Sequence, residues 1–171
     1  MFKLLFPNDY IESIFRLDIM QLKKDGMKGI IFDIDNTLVP YDVAEPTKEI
    51  IDFFEQIKAH GMKIALLSNN TEDRVIKFNE KLKVIAIHKS RKPSTKSFKE
   101  AIKKMQCSKD EVVIVGDQVF TDVFGGNRFG IKTILVVPVS DKDEWITKIK
   151  RGIEKKVIRQ YEKHTKKYHN R

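Results

Sequence analysis

The sequence predicts an α/β fold built on a parallel sheet. Short apolar runs alternate with amphipathic helical stretches over most of the chain, the pattern of strands joined by crossover helices. Polar or acidic residues also gather just after the runs: Asp33 and Asp35, Ser68, and Asp117. Ligands of open parallel sheets sit outside the carboxyl ends of the strands, at a switch in strand order. Strand ends that each deliver a group competent for phosphate or metal therefore point to one site.

The first 28 residues are the least regular, and Ile11, Ile14, Phe15, Leu17, Ile19 and Leu22 predict one or two short helices over a sheet edge. Gly29–Phe32 is the first strand. A helix over Thr47–His60 follows Pro46, with Ile50, Ile51, Phe53, Phe54 and Ile57 on its buried side and Gly61 at its end. Met62–Leu67 is the second strand, Asp73–Leu82 a helix, and Val84–Ile87 a short third strand. Phe98, Ala101, Ile102 and Met105 recur at helical spacing within Ser94–Met105. Val112–Val115 is the fourth strand and Thr133–Val137 the fifth, stopped by Pro138. Gly125, Gly126 and Gly130 read as tight-turn and helix-end residues. They form no dinucleotide fingerprint, because no acidic ribose partner follows a matching strand.

At 171 residues the chain suits one domain with modest appendages. A single cysteine, Cys107, excludes an internal disulfide framework and a thiolate metal cluster. No apolar run approaches the roughly 20 residues of a spanning helix, and the N-terminus lacks a signal-peptide core, so a cytoplasmic protein is expected. The net charge of +9 is unevenly placed: residues 142–171 hold 11 Lys and Arg against 4 Asp and Glu, and residues 1–141 hold 22 against 20. Residues 1–141 are read as the catalytic core and 142–171 as a basic amphipathic helix or tail with a polyanionic or membrane-surface partner.

Two carboxylates two residues apart at the tip of a buried strand have no place in a core, since burying an ionised Asp costs several kcal/mol unless a partner or metal compensates it. Phosphoryl transfer needs a nucleophile, a metal, fixed positive charge and an acid/base. Asp33 can attack phosphorus and hold the transferred group; Asp35 can protonate the leaving oxygen and later activate water. Asp33 and Asp117 can offer carboxylates to Mg²⁺, with Asp122 as an outer-sphere partner or a direct ligand. Thr37 and Ser68 offer hydroxyls and Asn69 an amide to phosphate oxygens, and Lys92 offers an ammonium to Asp33 and the phosphate. Ser68–Thr71 could equally be a loop ending in a helix cap. The four histidines show no metal-ligand spacing.

These motifs, in this order, resemble the haloacid dehalogenase-like (HAD) phosphatases. Asp33–Leu38 is similar to their DxDxT motif, Ser68 to the second motif, Lys92 to the third, and Gly116–Asp122 to the acidic fourth. The resemblance implies a three-layer Rossmann-like core with sheet order 5-4-1-2-3, the DxDxT strand at its centre. It implies Asp33 as nucleophile, Asp35 as acid/base, and Mg²⁺ held by Asp33, Asp117 and the Asp35 backbone carbonyl. More closely, Ile34–Val39, Leu67–Asn70, Gly116–Asp122, Gly126–Gly130 and Leu135–Pro138 resemble the capless YqeG-type subgroup of subclass IIIA, related to phosphatidylglycerophosphate phosphatases. The fourth motif has one more residue between its acids than the shortest family version, which weakens the carry-over to Asp122.

One helix and one strand fill the interval from Ser68 to Lys92, and a loop, helix and strand fill that from Asp33 to Ser68, so no lid domain fits. An open site suits a large leaving group: lipid, protein or nucleic acid. Trp145, Ile149, Ile153, Val157 and Tyr161 recur every four residues and form a stripe that docks on the sheet or lies in an anionic membrane interface; Glu162–Arg171 is expected to fray. The expected function is a Mg²⁺-dependent phosphomonoesterase, with phosphatidylglycerophosphate as the favoured substrate, acting peripherally at the inner membrane surface. A protein or nucleic-acid phosphatase, or a nucleic-acid-binding protein using the tail, is the alternative; the tail lacks the aromatic interleaving of a single-strand platform. A phospho-receiver module is disfavoured, because Ile85–His88 supplies no acceptor Asp after the third strand.

Overall fold

The structure, a computed structural model, describes residues 2–140 and 145–169, with side chains over 3–140 and 152–165. Its elements run β1 (Asp9–Ile11), α1 (Ile19–Lys24), β2 (Gly29–Phe32), α2 (Lys48–Ala59), β3 (Lys63–Leu67), α3 (Glu72–Asn79), β4 (Ile85–Ile87), α4 (Thr95–Met105), β5 (Val112–Gly116), α5 (Phe124–Phe129), β6 (Lys132–Val136) and α6 (Trp145–His169). A single π-helical turn over Val119–Val123 leads into α5.

All six strands are parallel, in the order β1-β6-β5-β2-β3-β4. The five expected strands take the expected order; the difference is β1, which extends the sheet beyond β6 where the sequence predicted helices alone. Three residues flanked by Asn8 and Glu12 carry too little alternation to be read as a strand. Tertiary bonds make it one: the Asn8 N–H donates to the Thr133 carbonyl at 2.9 Å, and the Thr133 N–H to Asn8 Oδ1 at 2.8 Å. Short helical pieces do follow, a 3-10 turn over Ile14–Arg16 and then α1.

Strands covered on both faces are apolar throughout, and β2 is buried at every residue. Ile30 and Phe32 face α2 and α3 through Ile50, Phe54, Ile57, Val75 and Phe78. Ile31 and Ile114 face α4 and α5 through Phe98, Ala101 and Phe129. The α5 layer comes close to the sheet because Gly125 and Gly126 are helical: a Cβ at Gly126 would lie 2.6 Å from the Ile114 and Thr133 methyl carbons. Those two glycines are close-approach residues, not the turn residues expected; Gly130, at φ 87°, does end the helix.

The C-terminal helix packs on the core. Val157 is buried against Val119, Val123 and Leu135, and the Tyr161 ring meets Phe6 edge-on at 5.9 Å. The expected stripe docks in part, through Val157 and Tyr161 but not Ile153. Ile153 is 54% exposed, and Glu154, 3% exposed, is buried in its place; Trp145 and Ile149 lie outside the residues whose side chains are described. An every-fourth-residue series drifts about 40° per step around a helix, so it cannot hold one face over five members. Past Tyr161, α6 continues as helix to His169. Lysines near a helix C-terminus favour its dipole. No helix among the described residues is long and apolar enough to cross a membrane.

Glu154 Oε1 accepts from the Val119 N–H at 2.9 Å and the Phe120 N–H at 3.4 Å, so the tail caps the π-helical turn. Glu154→Ala is expected to cost about 1–3 kcal/mol by stranding those donors, seen as a fall of several degrees in Tm. Glu154→Gln, which keeps an oxygen acceptor, should lose clearly less.

Candidate active site

The central strands end level, because Phe32 of β2 pairs with Leu66 of β3 on one side and Val115 of β5 on the other. The residues that follow enter a common pocket of about 280 Å³ lined by Asp33, Asp35, Asn36, Tyr41, Ser68, Asn69, Asn70, Lys92, Gln118 and Thr121. It lies outside the carboxyl ends of β2, β3 and β5, as a switch-point site should.

Lys92 is the hub. Its ammonium, 2% exposed, donates to Asp33 Oδ1 at 2.6 Å and Asp122 Oδ1 at 2.7 Å. Burial works against its charge, but the two carboxylates outweigh that and hold it protonated above the ordinary lysine range. The backbone reaches this position because Asn69 braces it. Asn69 Oδ1 accepts from the Lys92 N–H and the Ser90 hydroxyl, both at 2.7 Å, and its Nδ2 donates to the Lys92 carbonyl at 3.2 Å. Asn69, expected at a phosphate oxygen, thus lines the pocket while spending most of its amide on the lysine loop.

Thr37 is also placed differently from the expectation. It is 1% exposed, does not line the pocket, and its hydroxyl lies 3.1 Å from both Asp33 Oδ2 and Asp117 Oδ1. The turn closes through the Asn36 N–H on the Val39 carbonyl at 2.7 Å, with Asn36 at φ 63°; Thr37 lies inside it and Asn36 lines the pocket. Asparagine tolerates that left-handed backbone better than most residues. Ser68 lines the pocket, its Oγ accepting from the Asn70 N–H at 3.0 Å.

Asp33, Asp117 and Asp122 are all buried, and one carboxylate oxygen of each lies within 4.8 Å of the others. Three carboxylates around one ammonium leave a formal negative excess that a hard divalent cation neutralises, and an all-oxygen donor set suits Mg²⁺. The donor chemistry fits that metal. Asp122 does double duty: besides Lys92, it accepts at Oδ2 from the Gln118 N–H at 3.2 Å. Its closeness depends on Gly116, where any Cβ would overlap the Asp122 carboxyl. Burial and the neighbouring Asp33 push the Asp122 carboxyl up to about 6, although Lys92 opposes this.

The Asp35 carboxylate stands apart from that trio. Asn70 Nδ2 donates to its Oδ2 and Arg74 Nη2 to its Oδ1, each at 3.1 Å. Burial, then Asp33, push this carboxyl above the usual carboxylate range, against the pull of Asn70 and Arg74. Sequence reasoning missed Asn70, Arg74, Tyr41, Gln118 and Thr121. Asn70 sat inside a motif already quoted, but nothing in its spacing named Asp35 as its partner.

Comparison with known proteins identifies relatives of the chain. The family model described as HAD-hydrolase-like matches residues 90–157. The probable phosphatase YqeG of Bacillus subtilis (strain 168) is 44% identical over 156 residues, 91% of either chain. The chloroplastic/mitochondrial phosphatidylglycerophosphate phosphatase 1 of Arabidopsis thaliana is 30% identical over 153 residues; the match takes in 82% of this chain but 43% of that one. The cobalt-bound deoxy-D-mannose-octulosonate 8-phosphate phosphatase of Haemophilus influenzae shares the fold, with a TM-score of 0.56 and 12% identity over 81% of this chain and 91% of that one.

The raised Asp122 carboxyl gives a pH dependence of stability. The folded state binds its proton more tightly than the unfolded chain does, so this contribution is full below pH 3.8 and is lost as pH rises through about 6. In metal-free buffer, denaturant titrations should show the wild type losing on the order of 1–3 kcal/mol relative to Asp122→Asn across that interval. Added Mg²⁺ at pH 7 should stabilise the wild type more than Asp122→Asn.

Proposed function

The chain belongs to the HAD-like phosphatases, in the YqeG group, and from that membership we propose a Mg²⁺-dependent phosphomonoesterase that works through an aspartyl phosphate on Asp33. The observation that carries the reading is the pocket-facing Asp33 carboxylate, held by Lys92 at 2.6 Å on one oxygen and by Thr37 at 3.1 Å on the other. A nucleophile held at both oxygens meets phosphorus in a fixed orientation and keeps a lone pair for attack.

Asp33 forms the new bond to phosphorus as the ester oxygen leaves, and Asp35 gives that oxygen its proton. Asp35 then takes a proton from water as the water oxygen attacks phosphorus, releasing phosphate and restoring Asp33. A carboxyl group with a raised pKa suits both tasks. Lys92 offsets charge on the Asp33 side of the phosphoryl group, and the Ser68 hydroxyl, which lines the pocket, would donate to its oxygens. Asp33 and Asp117 would hold Mg²⁺ with the Asp35 backbone carbonyl, and Asp122 contributes as a ligand or as the partner that orients Lys92. When bound, the metal neutralises phosphate oxygens.

The favoured substrate is phosphatidylglycerophosphate. Three observations support it. No inserted domain stands over the strand ends among the described residues, which leaves the pocket mouth open to a large leaving group. The outward face of α6 presents Lys155, Lys156, Arg159 and Lys163, all exposed, to an anionic surface. The Arabidopsis relative carries that activity in its name.

Hydrolysis of p-nitrophenyl phosphate should require Mg²⁺, stop with EDTA, and fall at least about 10³-fold in Asp33→Asn. Full activity in that variant would remove the nucleophile assignment. Phosphatidylglycerophosphate in vesicles should be cleaved far faster than a phosphopeptide or a 3′-phosphorylated oligonucleotide. Replacing Lys155, Lys156, Arg159 and Lys163 together by Gln should slow only the vesicle reaction. Equal rates across the panel would end the lipid reading.

A further inference from the structure

Arg74 stands where an arginine is disfavoured. It lies in the first turn of α3, beside Glu72 and Asp73, where the helix dipole repels a cation. Its side chain is 12% exposed, and its Nε is buried with no hydrogen-bond partner, an uncompensated cost. What it makes in return is a fork. Nη1 donates to the Ala44 carbonyl at 3.0 Å, Nη2 donates to Asp35 Oδ1 at 3.1 Å, and the guanidinium lies over the Phe78 ring at 5.3 Å. With Asn70 on Oδ2, both oxygens of Asp35 are held, so the carboxyl cannot swing about its last bond. Each oxygen still keeps a second lone pair for a proton.

We propose that Arg74 is a positioning residue: anchored on the Ala44 carbonyl and the Phe78 ring, it fixes the carboxyl plane of Asp35 so that the acid is aimed at the leaving-group oxygen. The inference rests on Asp35 serving as the acid of the proposed reaction. In the transfer step the Asp33–phosphorus bond forms, the phosphorus–ester oxygen bond breaks, and the Asp35 proton passes to the departing oxygen; Arg74 keeps all its protons. Proton transfer in a transition state needs hydrogen-bond reach and alignment, and a small misplacement is costly. Lysine at this position keeps a charge but cannot span Ala44 and Asp35 with a planar fork.

A leaving-group comparison separates aim from architecture. The value of kcat/KM covers steps through cleavage of the ester bond and is blind to the later hydrolysis of the aspartyl phosphate. p-Nitrophenolate departs without a proton, whereas the alkoxide from glycerol phosphate needs one. Both substrates are measured with Mg²⁺ in the wild type, Arg74→Met, Arg74→Lys, Asp35→Asn and Asp35→Asn/Arg74→Met. Arg74→Lys preserves the stem and charge and carries the test if Arg74→Met does not fold.

Asp35→Asn should lose about 10²–10⁴-fold on glycerol phosphate and far less on the aryl ester. Arg74→Met should lose at least about 10-fold more on glycerol phosphate than on the aryl ester, with Arg74→Lys shifted the same way by a smaller factor. In the double variant the gap between substrates should be no wider than in Asp35→Asn alone. Equal losses on both substrates in the Arg74 variants, or a wider gap in the double variant, would overturn the inference. If Asp35→Asn itself treats the two substrates alike, the acid assignment fails and the inference falls with it, a result distinguishable from the other two.

Discussion

The site turns on one buried ammonium shared by two buried carboxylates. Lys92 sits within 2.7 Å of both Asp33 and Asp122, and all three are nearly sealed from solvent. Withdrawing such charges from water costs several kcal/mol per ion, and mutual attraction repays that only when geometry is good and the remaining lone pairs are satisfied. Here they are: Thr37 reaches the second oxygen of Asp33, and the Gln118 N–H reaches the second oxygen of Asp122. Asn69 fixes the lysine backbone from the neighbouring strand end. The Lys92 and Asn69 contacts join segments 23 to 59 positions apart in the chain, so the site forms only when the sheet does.

The sheet supplies that convergence through topology. Placing β2 between β3 and β5 brings Asp33, Ser68 and Asp117 to one rim at one level. The acidic turn after β5 then needs two further supports. Gly116 lets Asp122 fold back against the strand end, and Glu154 of α6 satisfies the N–H groups at the start of the π-helical turn. One helix therefore has two tasks. Its inner face braces the turn that carries Asp122, and its outer face carries the exposed lysines and arginine.

Elements with strong period or long apolar runs were legible in the sequence. The buried strands at 29–32, 63–67 and 112–116 and the helices at 48–59 and 95–105 fall within two residues of expectation. β1 was not legible, because a three-residue edge strand is made by Asn8 and its bonds to Thr133 and not by its own pattern. The docking face of α6 was read only in part: Val157 and Tyr161 dock, but apolar residues drew attention away from Glu154, whose burial depends on backbone donors 34 and 35 residues away in the chain. Thr37 was expected at the phosphate; its hydroxyl is bonded to Asp33 and Asp117, since the turn around Asn36 sets which side chain points inward.

The sequence by itself determined the class of fold and the acids at the strand ends, because alternation and buried charge are local and need no partner to be recognised; the order of the strands was only what the family resemblance implied. Of the 33 basic residues, Lys92 was picked out in advance by its likeness to a family motif, and only the tertiary structure picked out Arg74. Lys92 joins Asp33 across 59 positions and Arg74 joins Asp35 across 39. Coulombic and hydrogen-bond energies depend on distance in space, and a chain that brings remote residues within 3 Å leaves no trace of that pairing in their spacing.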